Sequence, residues 1–450
     1  MVKRFTFRRL FLVMSAAGMI VSTPGALAAA FQLWEQDGAS VGNYHAGIAA
    51  SAEDASTAYY NPAGLVRFHN QQIVFAVDPV LTSFKYRGTV DVDVTGFGPT
   101  GPAGTVSQGG GISFVPSLNY AAPILDNLVF GFSIVSPYGL KTDYGQNNLT
   151  EYAATRTSLT VIDISPSLGL AFNQHFSVGA GLDIDRSRGE FDLVAGSTVV
   201  NAAYAPTNMD TPSENVGTGT NYGYHLGALY QFTPATRIGI AYHSPVRVHL
   251  SGTSKFTGPL ANGISGPGSY QESDELKAKT TLPAVTSLSV FHTLNPTWDL
   301  MGSVSYIQWA VFNQLVFQNV AGIGGGVASN TLSVTTYENY RNSWNYSVGA
   351  NYHVNDKFMI RTGLGYDETP SNNTDRNLQL PDSSRIAVAL GGHYQATKAL
   401  GFDMGWTHLF VMNTRINNHA QVFGDQTTTT NGSISSSADV FGFQAKWDIA

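Results

Sequence analysis

Charged residues crowd one short stretch of this chain. Asp183, Asp185, Arg186 and Arg188 fall at the end of a strand-like run, ahead of a long polar segment. Arg341 stands where another long segment re-enters an alternating run. A cation at the mouth of an apolar pocket would hold the carboxylate of an amphipathic ligand whose tail stays dry. The competing role for each arginine is to balance nearby carboxylates or to bind lipid headgroups. Catalytic patterns do not occur: there is no G-x-S-x-G, H-E-x-x-H or Walker A. Gly217-Thr-Gly-Thr-Asn-Tyr-Gly223 misses G-x-G-x-x-G by one residue and reads as a loop glycine cluster. Asp91-Val-Asp93-Val-Thr-Gly96 opens like a calcium loop but lacks its closing Glu. With no cysteine in the chain, thiol catalysis and Cys-metal sites are excluded. The expectation is a protein that is not an enzyme, with no catalytic residue, metal or cofactor.

The elements that would position those charges are strands. Phe358, Ile360, Thr362, Leu364 and Tyr366 alternate with Met359, Arg361, Gly363, Gly365 and Asp367. In the same way Phe176, Val178, Ala180, Leu182 and Ile184 oppose Ser177, Gly179, Gly181, Asp183 and Asp185. Such strands have one apolar face and one facing a polar interior or water. Six short connections carry turn chemistry, at 123–127, 173–175, 233–236, 294–297, 354–357 and 395–398. Between them lie seven long Gly/Thr/Ser/Asn-rich segments, roughly 86–111, 138–156, 193–221, 253–274, 313–341, 368–383 and 413–435. This alternation predicts about fourteen strands with short turns at one end and long loops at the other, as in outer-membrane barrels. Aromatics near predicted strand ends (Tyr138, Tyr144, Tyr152, Trp298, Trp309, Phe312, Trp344, Tyr366, Trp406 and Trp447) would form interfacial girdles.

Charged residues make up 12% of the chain, about half the share usual in soluble domains. Residues 1–28 have a basic start, the apolar run Leu10 to Val21 and Ala26-Leu27-Ala28, which is the pattern of a secretory signal peptide. Removing its four cations leaves 20 Lys+Arg against 31 Asp+Glu, a net charge of −11 and a poor match for nucleic acid. No later apolar run is long enough for a membrane helix, so a membrane span must be a closed barrel. Residues 29–70 precede the first strand and are too short to hold a core of their own. They include Asp54-Ala-Ser-Thr-Ala-Tyr-Tyr-Asn-Pro-Ala-Gly-Leu65, in which Asn61 precedes Pro62 and so disfavours helix. The expected organisation is a signal peptide at 1–28, an N-terminal plug at 29–70 and an all-β barrel at 71–450. The plug contains short helices and Asn61, Pro62, Ala63 and Gly64 as its turn.

Four passages resemble the FadL family of outer-membrane transporters for long-chain fatty acids and other hydrophobic compounds. They are Ala-Phe31-Gln-Leu33 with the Asn61-Pro-Ala-Gly64 segment; Leu226-Gly-Ala-Leu-Tyr-Gln231 with Thr236 to Tyr242; Leu282-Pro-Ala onward to Trp309; and Ser347-Val-Gly-Ala-Asn-Tyr352 through Tyr366-Asp-Glu-Thr-Pro370 to Leu380-Pro-Asp-Ser-Ser-Arg385. The resemblance implies a fourteen-stranded barrel in the outer membrane of a Gram-negative bacterium, plugged by a hatch. It implies passive uptake through an internal apolar pocket with lateral release into lipid, by a monomer. Family ligand contacts map onto Phe31 and Leu33 at the hatch start and onto Arg188 and Arg341 for a carboxylate. A channel for aromatic hydrocarbons and a general porin are the alternatives. One departure concerns assembly: outer-membrane strands commonly end on an aromatic, and this chain ends Trp447-Asp-Ile-Ala450.

Overall fold

A computed structural model describes residues 30–449 except 95–96, 101–103, 197, 200–206, 209, 262–269, 323–330 and 424–425. The expected signal peptide lies outside the described residues, as does Ala450. The wall is a closed antiparallel barrel of fourteen strands. In chain order these are β1 (Gln71–Val94), β2 (Ile112–Leu125), β3 (Leu128–Asp143), β4 (Arg156–Ala171), β5 (Phe176–Ala195) and β6 (Thr211–Thr233). Next come β7 (Thr236–His243 and Val246–Thr257), β8 (Tyr270–Leu282 and Val285–Asn295), β9 (Trp298–Ile307 and Gln314–Ala321) and β10 (Thr331–Tyr337 and Ser343–Asn355). The last four are β11 (Phe358–Asp367), β12 (Arg385–Gln395), β13 (Leu400–Val411 and Thr414–Phe423) and β14 (Gln426–Ile449). Pairing of β1 with β14, from Gln71 opposite Ile449 to Asp93 opposite Thr427, closes the circle.

Alternation explains the wall. Phe358, Ile360, Leu364 and Tyr366 are exposed on its outside, while Arg361, Gly363 and Asp367 are buried inside. The strands run further than the alternation suggests: β1 reaches Val94 and β14 begins at Gln426, inside segments read as loops. In β14 the Thr, Ser and Asn residues offer no apolar face to betray a strand, whereas in β1 buried Val90 and Val92 alternate with exposed Asp91 and Asp93. The backbone ladder continues from Arg87 opposite Ser433 to Asp93 opposite Thr427.

The girdle holds for Trp298, Trp344, Tyr366, Trp406 and Trp447, all exposed. Trp298 packs on Tyr352 and Trp344 on Tyr306, each with ring centroids 4.7 Å apart. Tyr138, Tyr144, Trp309 and Phe312 correct that expectation, for they are buried inside the barrel. Trp309 sits in a 3₁₀ turn that interrupts β9, where the chain leaves the wall and turns its rings inward.

Residues 30–70 occupy the lumen. They comprise a 3₁₀ turn at Ser40–Asn43, the single helix α1 (Thr57–Tyr60) and a 3₁₀ turn at Pro62–Arg67. Asn61 is the hinge between the last two. Its extended backbone (φ −157°, ψ 97°) stops α1, as the following proline requires, and Pro62 then starts the next turn at the position where a missing N–H costs nothing. This segment, the hatch, meets the wall at inward glycines. A Cβ on Gly227 would fall on Asn61 Oδ1, one on Gly239 on the Ala49 carbonyl, and one on Gly363 on the Asn43 backbone. Glycine is needed there because hatch backbone, or at Gly227 the Asn61 side chain, packs directly on the wall backbone.

Candidate functional site

Hydrogen bonds and these close approaches fix the hatch. Asn61 Nδ2 donates to the Ala49 carbonyl at 2.6 Å and to the Ala228 carbonyl of β6 at 3.2 Å. Its Oδ1 accepts from the Ala63 N–H at 3.1 Å, while the Ala63 carbonyl accepts from Ser177 Oγ at 2.8 Å. The Asn61-Pro62-Ala63-Gly64 turn is thus docked on β5 and β6. At its start the hatch behaves as an added strand. Gln32 bridges Tyr138 in antiparallel register, Leu33 N–H donates to the Pro137 carbonyl at 2.8 Å, and Gly139 N–H donates to the Phe31 carbonyl at 2.9 Å. This occurs where β3 bulges between Val135 and Tyr138, at Ser136-Pro137. Gln36 completes the bulge: its Oε1 accepts from Ser136 N–H at 2.8 Å and its Nε2 donates to the Ser136 carbonyl at 3.0 Å.

The added strand delivers Phe31 into an apolar cavity. Leu140, Leu159, Val161, Phe191, Val248, Leu250, Ala278, Leu282, Phe312, Leu315 and Leu380 line it, and it encloses about 490 Å³ including its mouth. The space left free beside Phe31 is only about 30 Å³, far below the range of small-molecule sites, so a ligand fits only once that ring moves aside. Phe31 is only 1% exposed, with ring centroids 4.8 Å from Trp309 and 5.1 Å from Phe312. Burying such a side chain stabilises the docked hatch by roughly 1.5–3 kcal/mol. Lys279 is on the lining strand, but alternation turns it outward, between buried Ala278 and the inward Thr280. The Thr280 hydroxyl is buried in the lining without a hydrogen-bond partner. A second space, about 690 Å³ with its mouth, lies between Leu193, Phe317, Val334, Leu378, Val422 and Phe423, with Asn and Thr side chains among them. Phe191 lines both spaces and packs edge-on against Phe317 at 5.1 Å.

The four residues mapped as ligand contacts separate. Phe31 is in the cavity. Leu33 is buried on the other side of the hatch, with Val41, Val80, Val115 and Val440. Arg188 is exposed, on the face of β5 opposite buried Asp183 and Asp185, so it is not an inward charge. Arg341 is exposed, ion-paired to Glu368 at 3.0 Å, and does not line the cavity. The cavity itself was not legible in the sequence, because its lining comes from six strands and from Leu380 in the 368–384 connection.

The hatch also carries acids into the lumen. Burial pushes the Glu35 carboxyl up to about 7, against the pull of the Arg385 guanidinium. Burial, reinforced by the neighbouring Asp54 carboxylate, pushes Asp37 up to about 7. Both are therefore held protonated in the docked hatch up to that pH, whereas in a hatch released to water they ionise near 4. Docking is strongest below about pH 4 and weakens as pH rises through about 7, by up to roughly 1.4 kcal/mol per unit and per group. Amide exchange in residues 31–60, corrected for intrinsic rates, is expected to be slower at pH 5 than at pH 8. Equal protection at both would mean that water already solvates these carboxylates.

Comparison with known proteins agrees with this architecture. The family model described as outer membrane protein transport protein (OMPP1/FadL/TodX) matches residues 19–448. The long-chain fatty acid transport protein of Escherichia coli O6:H1 is 26% identical over 417 residues, covering 88% of this chain and 90% of that one. Outer membrane protein P1 of Haemophilus influenzae is 26% identical over 475 residues, covering 96% and 98%. Among solved structures, a Pseudomonas aeruginosa FadL homologue superposes with a TM-score of 0.80 at 25% identity, over 94% of this chain and all of that one (100%). The Pseudomonas putida toluene transporter TodX shares the fold, with a TM-score of 0.67 at 16% identity over 92% and 98%. With the family model spanning nearly the whole barrel and hatch, the chain belongs to the OMPP1/FadL/TodX family of outer-membrane transport proteins.

Proposed function

We propose that this protein carries long-chain fatty acids or similar hydrophobic molecules passively across the outer membrane. The ligand enters the outer space beside Phe317, passes Phe191, displaces Phe31 from the inner cavity and leaves sideways into lipid where β3 bulges. The observation that carries this reading is the apolar cavity occupied by Phe31 at the start of a segment packed inside the barrel. A plugged lumen suits a molecule that partitions into lipid better than an ion that needs an open water path. The relatives named as long-chain fatty acid transport proteins support the ligand class. Closure of β1 on β14 leaves no free sheet edge, in keeping with a monomer.

A second reading, uptake of aromatic hydrocarbons, draws on the same cavity, whose lining is apolar apart from Thr280 and the outward-turned Lys279. The ligand co-purifying with the barrel, identified by mass spectrometry, separates the two: an acyl chain is expected, and an aromatic hydrocarbon would transfer the assignment. In cells, Phe31→Asp is expected to reduce oleate uptake about ten-fold or more, since filling the cavity with a carboxylate forfeits at least the roughly 1.4 kcal/mol that a factor of ten represents. Arg188→Ala and Arg341→Ala are expected to leave it near wild type, and a large loss in either would restore a carboxylate role outside the cavity.

A further inference from the structure

We infer that Asp183, His225 and His243 form a binding site for a divalent transition-metal ion of the zinc class, set between the barrel wall and hatch helix α1. Three adjacent strands supply them: β5, β6 and the first half of β7. His225 and His243 are direct cross-strand partners, and their rings stack with centroids 5.2 Å apart and planes at 17°. Asp183 Oδ1 lies 2.5 Å from His225 Nδ1, and one ligand atom from each of the three residues falls within 4.8 Å of the others. Two imidazoles and one carboxylate are a zinc-type donor set, and leave one position of a tetrahedron open. Calcium and magnesium would require more oxygen ligands than the site offers.

Two further observations point the same way. Metal-binding histidines characteristically donate their second ring N–H to a fixed acceptor, which orients the ring. His225 Nε2 is 3.1 Å from the Ala58 carbonyl of α1, and His243 contacts the Tyr59 backbone and packs on the Tyr59 ring at 4.6 Å. The hatch thus provides the outer sphere of both histidines. The second observation is charge. Asp163, Asp183 and Asp185 are all buried on the inner face, and among the described residues no Lys or Arg is ion-paired to any of them. Ser165 Oγ joins Asp163 Oδ2 (3.0 Å) to Asp183 Oδ1 (2.8 Å), while Asp185 Oδ1 is buried without a hydrogen-bond partner. A dication compensates this excess of carboxylates where a hydrogen bond alone does not. On binding, the proton between His225 Nδ1 and Asp183 Oδ1 leaves to solvent. The two atoms then part to roughly 3.3 Å, the edge of a tetrahedron with bonds of about 2.0 Å. The metal then holds the wall side of both rings while α1 holds the other side.

The test uses the full mature protein in detergent, stripped with chelator, incubated with Zn²⁺ or Co²⁺ and desalted. Wild type is expected to retain one equivalent of metal by elemental mass spectrometry, and Co²⁺ to show the visible ligand-field bands of a tetrahedral nitrogen–oxygen site. Asp183→Asn and His243→Phe, the latter keeping the ring stack, should each weaken binding by more than about 100-fold, the upper end for losing an outer-sphere partner. His393→Gln removes a histidine paired instead to Asp403, outside the cluster, and should keep the full equivalent. Heat-modifiable gel migration confirms that each variant is a folded barrel. No retained metal in wild type, or the same stoichiometry in wild type and His243→Phe, overturns the site.

Discussion

Gly227→Leu and Gly239→Leu are each expected to make the barrel conduct ions, as the proposal of a lumen plugged by the hatch requires. Both glycines face the lumen and are covered by hatch atoms: Asn61 Oδ1 on the first, the Ala49 carbonyl on the second. Extra carbons in a well-packed interior cost about 1–3 kcal/mol even when side chains can adjust, and here the obstacle is backbone or a side chain bonded twice to backbone. One of the two partners must yield. The wall is held by a continuous circle of paired strands, whereas the hatch is joined to it covalently at one end and otherwise by a short backbone bridge to β3 and scattered side-chain bonds, so the hatch gives way. Planar-bilayer recordings should show steady conductance, matching that of a barrel deleted from Phe31 to Tyr60. Gly111→Leu, where an added Cβ meets nothing within 4 Å, should stay closed. Folded but silent Gly227→Leu and Gly239→Leu proteins would show that the hatch does not seal the lumen at these contacts.

The second large effect is expected at Arg361. Its Nη2 lies 2.9 Å from Asp403 Oδ1 on β13 and 3.1 Å from Glu53 Oε2 in the hatch, and the Arg361 and Asp403 side chains are only 5% and 2% exposed. His393 Nδ1 and Gln444 Nε2 also hold Asp403, and Gln444 reaches on to Asp54 of the hatch at 2.7 Å. Arg361→Met removes the one guanidinium in this network and strands a carboxylate away from water. Breaking a buried pair from one side typically costs about 3–5 kcal/mol. A drop of that size in unfolding free energy, with loosened hatch amides, is the expected measurement. Arg361→Met combined with Asp403→Leu should recover part of the loss, because neither charge then remains unpaired. If the double variant were as unstable as the single one, packing of the long arginine stem would be the main contribution instead.

How far these features could be read from the sequence depends on whether they are local. Strand parity is local, and the faces of Phe176 to Asp185 and Phe358 to Asp367 agree with it. Parity alone also separates Arg188 from Asp183 and Asp185, so the charges that crowd the end of this strand do not share one face. The turn rhythm gave the strand count, since six tight turns require chemistry visible in four residues. Features that depend on register between strands were hidden. His225 faces His243 because β6 pairs with β7 at one particular offset, and nothing in either strand states that offset. Trp309 and Phe312 looked like membrane-interface aromatics because the break in β9 that turns them toward Phe31 has no glycine or proline to mark it. The cavity is the extreme case, with neighbours such as Phe31 and Leu380 separated by most of the chain.

The bulge in β3 ties two events together. Around Ser136 and Pro137 the wall leaves backbone groups to the hatch, and Gln36, Leu33 and Phe31 satisfy them. The same three-residue reach of hatch puts Phe31 in the cavity. A molecule that displaces Phe31 therefore loosens the bond from Gly139, and a molecule that spreads the wall at the bulge loosens Phe31. Free energies of this kind are reciprocal: the factor by which a cavity ligand favours the spread wall equals the factor by which spreading favours the ligand. On the proposed route, bilayer composition and thickness, which act on the wall from outside, would thereby become variables of ligand affinity inside.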